Sequence, residues 1–313
     1  MTDIRPVPYT CKLSEATLEK AKSELNEDPT TRQQKLDELR DLFRTRPDIK
    51  FRQDDGFLLR FLRNKKFDVD RTFKMLVHYY KVRKNYREIF DNFKPSAVRD
   101  MYDLEYDFVC PGRDEEGRVV VLTRVVGRLD LKKYKITDYV RAQLILLETL
   151  LFDEDVQVNG IVIVMDWEKL SPSELKYTTP TVLKRSADAY LNAMPIRLKV
   201  VHFVRPPGIF EILYGIMKTF LTKKISKRIY MHSDESGTLH QHIPSSMLPS
   251  HFGGQLPGYD NTEFVNRIME AEEEFIYNNQ FGFLKSPDVL KAQAPAADAT
   301  AGLSGTFQKL DVS

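Results

Sequence analysis

The sequence predicts an α/β protein: an N-terminal helical module followed by a domain built on a mainly parallel sheet. Three observations lead there. VVVLTRV (119–125), IVIVMD (161–166), KVVHFV (199–204) and RIYMH (228–232) are short, β-branched and nearly continuous in apolar residues. Such runs belong to strands covered on both faces, as in parallel sheets. Long stretches of helical periodicity separate them, the pattern of βαβ units. Before about Pro95 no such run occurs, and every apolar pattern is helical.

Taken in order, Ser14 can cap a first helix with Glu15 in its opening turn. Gln53-Asp54-Asp55 precedes a stretch in which Phe57, Leu58, Phe61 and Leu62 recur at helical spacing. Asp68 and Asp70 open an amphipathic helix carrying Phe73, Leu76, Val77 and Tyr80. In the second part Thr137 can cap DYVRAQLILLETLLF. A helix from about 172 to 193 is expected to kink or split at Pro180. Another fills 207 to about 222. From Pro287 the chain turns to small and polar residues, KAQAPAADATAGLSG, and reads as a flexible tail.

Of 313 residues, 42% are apolar and 29% charged, which excludes a largely disordered chain. Cys11 and Cys110 cannot make a disulfide framework. The N-terminus lacks the pattern of a secretory leader, and no apolar run approaches the roughly 20 residues a bilayer span needs. An intracellular chain is expected, one that meets membranes only at the surface.

The motifs of cofactor enzymes, metalloproteases and serine hydrolases are absent. His240 and His242 lie two apart without a third obvious ligand, so no metal is expected there. Asp166 ends a strand at its carboxyl edge, yet spacing ties no nucleophile or base to it; a cap or hydrogen-bonding role is expected, with Trp167 as packing. No enzymatic activity and no cofactor are predicted.

One segment is unusual. At about 100° per residue, Ile209, Phe210, Ile212, Leu213, Tyr214, Ile216, Met217, Phe220 and Leu221 cover an arc of roughly 200°, twice what a surface helix needs. Lys218, Lys223, Lys224, Lys227 and Arg228 follow with no acid among residues 217–228, whereas 260–274 carry six acids against Arg267. The balance of 47 Lys+Arg against 45 Asp+Glu hides both patches. Periodicity leaves two readings open, a membrane-surface element and a buried helix with a solvated end. Nucleic acid fits less well, because few aromatics interleave with the cations.

FLLRFLRNKKFDVDR (57–71), VQVNGIVIVMD (156–166), MPIRLKVVHFV (194–204), KTFLTKKISKRIYMH (218–232) and LPSHFGG (248–254) resemble, in order, the CRAL-TRIO family of lipid-binding proteins, in particular its α-tocopherol-transfer branch. The resemblance covers about 13–280. It implies a helical module over 1–95, a lipid-binding domain over 96–286 with a sheet floor and a helical lid, and a tail over 287–313. The over-wide helix falls where the family has its lid. By similarity the lipid contacts are Val140, Gln143, Leu144, Leu147, Ile161, Met165, Leu170, Ser186, Ala189, Tyr190, Met194, Val201, Met217 and Leu221. The family's phosphoinositide-contacting cations match Arg63, Arg197, Lys199, Lys224 and Arg228, with Ser226 where the family has a lysine. Gln143 and Leu147 replace small hydroxyl residues, and Leu170 an aromatic. Ile196 stands where the phosphatidylinositol-transfer branch carries an acid, which speaks against an inositol lipid as cavity ligand.

The implied function is that of a cytoplasmic, monomeric lipid-transfer protein. It would hold one tocopherol-, retinoid-, carotenoid- or sterol-like ligand and exchange it at endosomal or other phosphoinositide-bearing membranes. The alternative is a phosphoinositide-binding trafficking adaptor of the clavesin branch.

Overall fold

The computed structural model describes residues 9–284, apart from 176, 234–236 and 259. The expected tail from Pro287 lies outside the described residues. Strands run β1 (Ile49–Lys50), β2 (Asp107–Val109), β3 (Val119–Thr123), β4 (Ile161–Asp166), β5 (Leu198–Val204), β6 (Ile229–His232) and β7 (Gly282–Phe283). β2 to β6 form one sheet in sequential order, with β3, β4, β5 and β6 mutually parallel and β2 antiparallel at one edge. β1 and β7 pair separately, antiparallel, and tie the end of the described chain to the helical module.

The helical module forms as its caps dictate. Ser14, Asp54 and Asp68 each accept the backbone N–H three residues on, opening Glu15–Leu25, Asp55–Asn64 and Val69–Asn85. Phe57, Leu58, Phe61, Leu62, Leu76 and Tyr80 make one core there. The helix Pro172–Leu175 is separate from Pro180–Ala187, so Pro180 does divide the segment, as N1 of a helix capped by Thr179.

Three expectations are corrected. The helix Ile136–Leu150 begins one residue before Thr137, which therefore does not cap it; Asp138 instead accepts from the Lys135 N–H at 3.0 Å. The over-wide apolar helix is shorter than expected, Phe210–Lys218, and a second short turn, Lys223–Ser226, carries the basic cluster. β2 was not foreseen, because three residues with one aromatic leave no periodic signal. Asn261 holds that edge, accepting from the Val109 N–H at 3.2 Å and donating to the Asp107 carbonyl.

Period-2 alternation separates the two faces of the sheet. Ile161, Ile163 and Met165 of β4 face the helix Ile136–Leu150, whereas Val162 and Val164 face Leu239, Ile243, Leu248 and Phe252. In β5 the register skips Lys199: Leu198 pairs with Ile161 and Val200 with Val162. That bulge lets Leu198, Val201 and Phe203 share the first face. At the entry to β4, Gly160 has φ +85°, and a Cβ there would meet the Arg197 carbonyl at 2.3 Å, so only glycine fits.

Candidate lipid cavity and basic rim

Between the first face of the sheet and the surrounding helices lies a cavity of about 310 Å³. Ile161, Ile163 and Met165 of β4, Leu198, Val201 and Phe203 of β5 and Ile229 of β6 form the floor. Val140, Gln143 and Leu147 enter from Ile136–Leu150, a turn apart, with Tyr139 beside them. Val182, Leu183 and Ser186 come from Pro180–Ala187; Tyr190 comes from Asp188–Ala193, where that helix widens to π geometry. Leu213, Met217, Phe220, Leu221 and Ile225 roof the space. Across the roof helix from Leu213 and Met217, Ile212 is 61% exposed. The wide apolar arc is thereby accounted for, one side over the cavity and another in solvent.

Of the residues that the resemblance placed in contact with lipid, Val140, Gln143, Leu147, Ile161, Met165, Leu170, Ser186, Tyr190, Val201, Met217 and Leu221 lie on this wall. Leu144, Ala189 and Met194 do not. They are buried one layer away, in the packing between helices and sheet. Ile163, Phe203, Leu213, Phe220 and Ile225 were missed; alternation from Ile161 and Met165 reaches the first of them. Trp167, expected as packing, both stacks near Phe203 and Phe210 (ring centres 5.5 and 4.6 Å) and lines the cavity.

The wall has one polar end. Asp107 is buried, and its Oδ1 accepts from the Tyr139 hydroxyl at 2.8 Å and Gln143 Nε2 at 3.2 Å. Burial raises its carboxyl to a pKa of about 6, against hydrogen bonds that pull it down.

Four of the five cations assigned to phosphoinositide gather beside the roof. Arg197 precedes β5 and Lys199 lies on it, while Lys224 lies in the turn Lys223–Ser226 and Arg228 just after it. Arg228 donates to the Leu198 carbonyl, which anchors it to the sheet. Burial and the neighbouring Arg228, Lys66, Arg197 and Arg71 lower the pKa of the Lys224 ammonium. Lys65 is lowered likewise by burial, Arg71 and Lys224. Lys65, Lys66 and Arg71 thus belong to the same field, and the NKK that ends the helix Asp55–Asn64 was the overlooked signal. Glu24 is the acid against this rim, 2.9 Å from Arg197 and 3.5 Å from Lys199.

Arg63 is elsewhere. Its side chain is 0% exposed and forks onto Glu27 at 2.8 and 2.9 Å. It also donates to Gln157 Oε1 at 2.6 Å and to the Tyr9 hydroxyl at 2.9 Å, with Glu154 at 3.3 Å. A guanidinium so enclosed is a structural tie between the helical module and the helix Glu154–Asn159, not part of a headgroup surface.

Asp166 is likewise structural. It accepts from His251 at 2.8 Å and pairs with Arg128 and Arg205 at 3.1 and 3.2 Å. Burial opposes its charge, but these contacts and the Glu168 N–H hold the carboxyl well below the usual range. Asp166, Glu168 and His251 have metal-ligand spacing, but Asp166 is already paired with two arginines.

The opposite face of the sheet carries buried histidines. His202 Nδ1 lies 2.8 Å from His232 Nε2, and the ring of His242 is 5.1 Å from that of His202. His240 instead meets the Phe252 carbonyl at 3.1 Å. Burial, His232, His242 and Arg118 depress the His202 pKa to about 3. His202 is thus neutral in the fold and takes up its proton on unfolding near pH 6.5. Its contribution to stability is full above about pH 6.5 and is lost as pH falls toward 3, at up to about 1.4 kcal/mol per pH unit. Asp107, raised to about 6, has the opposite sign: it favours the fold as pH falls from 6 to the carboxyl's ordinary range. On going from pH 7 to pH 5 the denaturant midpoint should therefore fall less than in wild type, or rise, in His202→Asn, and fall more in Asp107→Asn.

A family model for the CRAL/TRIO domain matches residues 105–254, and one for a Pinta-like UBA domain matches 28–99. The human alpha-tocopherol transfer protein-like is 37% identical over 272 residues, 87% of this chain and 79% of that one. The chain belongs to the CRAL/TRIO family. Rat clavesin-1 is 39% identical over 261 residues, 82% of this CRAL/TRIO chain and 73% of its relative. Rat clavesin-2 is 35% identical and covers 92% of each chain. The crystal structure of Sfh5 is 18% identical and superposes with a TM-score of 0.47 over 72% of this chain and 80% of that one. Among the described residues no helix is long and apolar enough to cross a membrane.

Proposed function

We propose that this protein carries a single hydrophobic lipid in the cavity and exchanges it at a phosphoinositide-bearing membrane, making and breaking no bond. The observation that carries the reading is the apolar cavity of about 310 Å³ roofed by a helix whose continuation supplies the basic rim. The volume lies at the lower end of the roughly 300–1,000 Å³ of small-molecule pockets. A tocopherol, retinoid, carotenoid or sterol-like lipid supplies the apolar body such a wall needs. The names of the tocopherol-transfer and clavesin relatives support the same class. Arg197, Lys199, Lys224 and Arg228 are the cations that would meet phosphoinositide headgroups, with the protein cytoplasmic and monomeric between encounters. Roof opening is the step that joins docking to release.

The test is mass spectrometry of an organic extract of the purified protein, followed by transfer of the recovered lipid between vesicles with and without phosphoinositide. One lipid per chain is expected. Ile163→Trp, in the middle of the floor, should abolish that stoichiometry while the melting temperature changes little. Vesicle recruitment by a protein that yields no extractable lipid would favour the trafficking-adaptor reading instead.

A further inference from the structure

The polar end of the cavity is built more elaborately than an apolar container requires. Tyr139 and Gln143 sit one turn apart on Ile136–Leu150 and both reach Asp107 at the sheet edge. Gln143 Nε2 also donates to the Tyr139 hydroxyl at 2.7 Å, and that hydroxyl is 2.7 Å from Thr123 Oγ1. No cation pairs with Asp107 among the described residues, so these neutral groups are its partners. A carboxylate only accepts hydrogen bonds, which turns the Gln143 amide nitrogen toward Asp107 and its oxygen away. Gln143 lines the cavity, and no donor reaches its Oε1 among the described residues. The Tyr190 hydroxyl has only a long contact, 3.5 Å, to the carbonyl of Val140, one turn before Gln143 on the same helix. One acceptor and one hydroxyl are thus left at this end of a mostly apolar wall, whose other polar side chains include Glu174, Thr178, Ser186 and the already bonded Tyr139. A ligand that ignored them would leave polar groups unmatched, at a cost in affinity.

We infer that this end receives a hydroxyl group of the ligand, Gln143 Oε1 accepting its proton and the Tyr190 hydroxyl donating to its oxygen. The inference rests on the cavity being a lipid site, and it narrows the ligand class to an alcohol or phenol on an apolar body. An ester or ether has no proton for Gln143, and a carboxylate would face Asp107. Asp107 and Tyr139 are positioning residues, acting through the orientation of the Gln143 amide.

The experiment measures binding of matched pairs by displacement of a fluorescent fatty-alcohol probe: α-tocopherol, retinol, cholesterol and hexadecanol, each against its acetate. In the pairs that fit the cavity the alcohol should bind about tenfold more tightly than the acetate. Gln143→Leu should bring that ratio near one. Tyr190→Phe, which removes a single oxygen, should lower the ratio too and serves if Gln143→Leu fails to fold. Asp107→Asn should reduce the ratio while acetate affinity holds, a result that simple loss of structure would not produce. Equal binding of alcohol and acetate by wild type, or a ratio unchanged in both Gln143→Leu and Tyr190→Phe, overturns the inference while the cavity stands. Failure of every alcohol and acetate to displace the probe overturns it together with the lipid reading.

Discussion

Arg63→Met is expected to destabilise the protein by about 3–5 kcal/mol, the range for breaking a buried ion pair by removing one partner. The change strands Glu27, whose side chain is 0% exposed and keeps only Arg32 at 3.0 Å. It also removes the donor that joins Tyr9, Gln157 and Glu154. For a chain of this size the loss corresponds to a fall in melting temperature of roughly 10 °C. Glu27→Gln together with Arg63→Met should recover part of it, because the stranded charge is gone. Thermal unfolding of the three proteins checks this. Had Arg63 been a headgroup ligand, as the sequence resemblance implied, its loss would weaken vesicle binding and leave the melting temperature alone. That outcome would reverse the assignment.

Reversing Lys224 and Arg228 to glutamate should act the other way, sparing the cavity and removing docking. Each cation near an anionic surface contributes about 1 kcal/mol, so reversing two changes the interaction by about 4 kcal/mol, roughly a thousandfold in partition. Ligand held in solution should be unaffected, since neither residue lines the cavity. Arg228 also bonds the Leu198 carbonyl, so Arg228→Lys with Lys224→Glu is the control for lost packing. Vesicle flotation across a salt series, with transfer measured in parallel, gives the result. Salt should release the wild type and scarcely affect the double variant. Normal transfer by the reversed protein would sink the proposed docking surface.

Much of the architecture was legible in the chain because it depends on short-range periodicity. Four of the five strands of the main sheet announced themselves as β-branched runs, and alternation from Ile161 to Met165 already marks which side chains share a face. The wide arc of Ile209–Leu221 left a surface element and a buried helix both open, and in the structure part of it roofs the cavity while Ile212 is exposed. β2 escaped because three residues are too few for a pattern, and it owes its place to the pairing of Asp107 with Thr123.

Site residues divide along the same line. Resemblance placed Gln143, Leu147, Met165 and Met217 where the structure has the cavity wall, but put Leu144, Ala189 and Met194 there too. On a helix, one residue's step of about 100° separates wall from interior, and nothing local says where the boundary falls.

The sequence by itself determined the order of strands and helices, the apolar runs that must be buried and the basic segment at 218–228. These follow from steric preference and hydrophobicity within a few residues of each position. Tertiary structure alone decided what the charged and polar groups do. Arg63 and Arg197 look alike in the chain, yet one is enclosed by Glu27, Glu154, Gln157 and Tyr9, residues 36 to 94 positions away, and the other stands at a partly exposed rim beside Glu24. The physical reason is that a charge takes its role from its dielectric and its partners, and both are assembled only when distant segments meet.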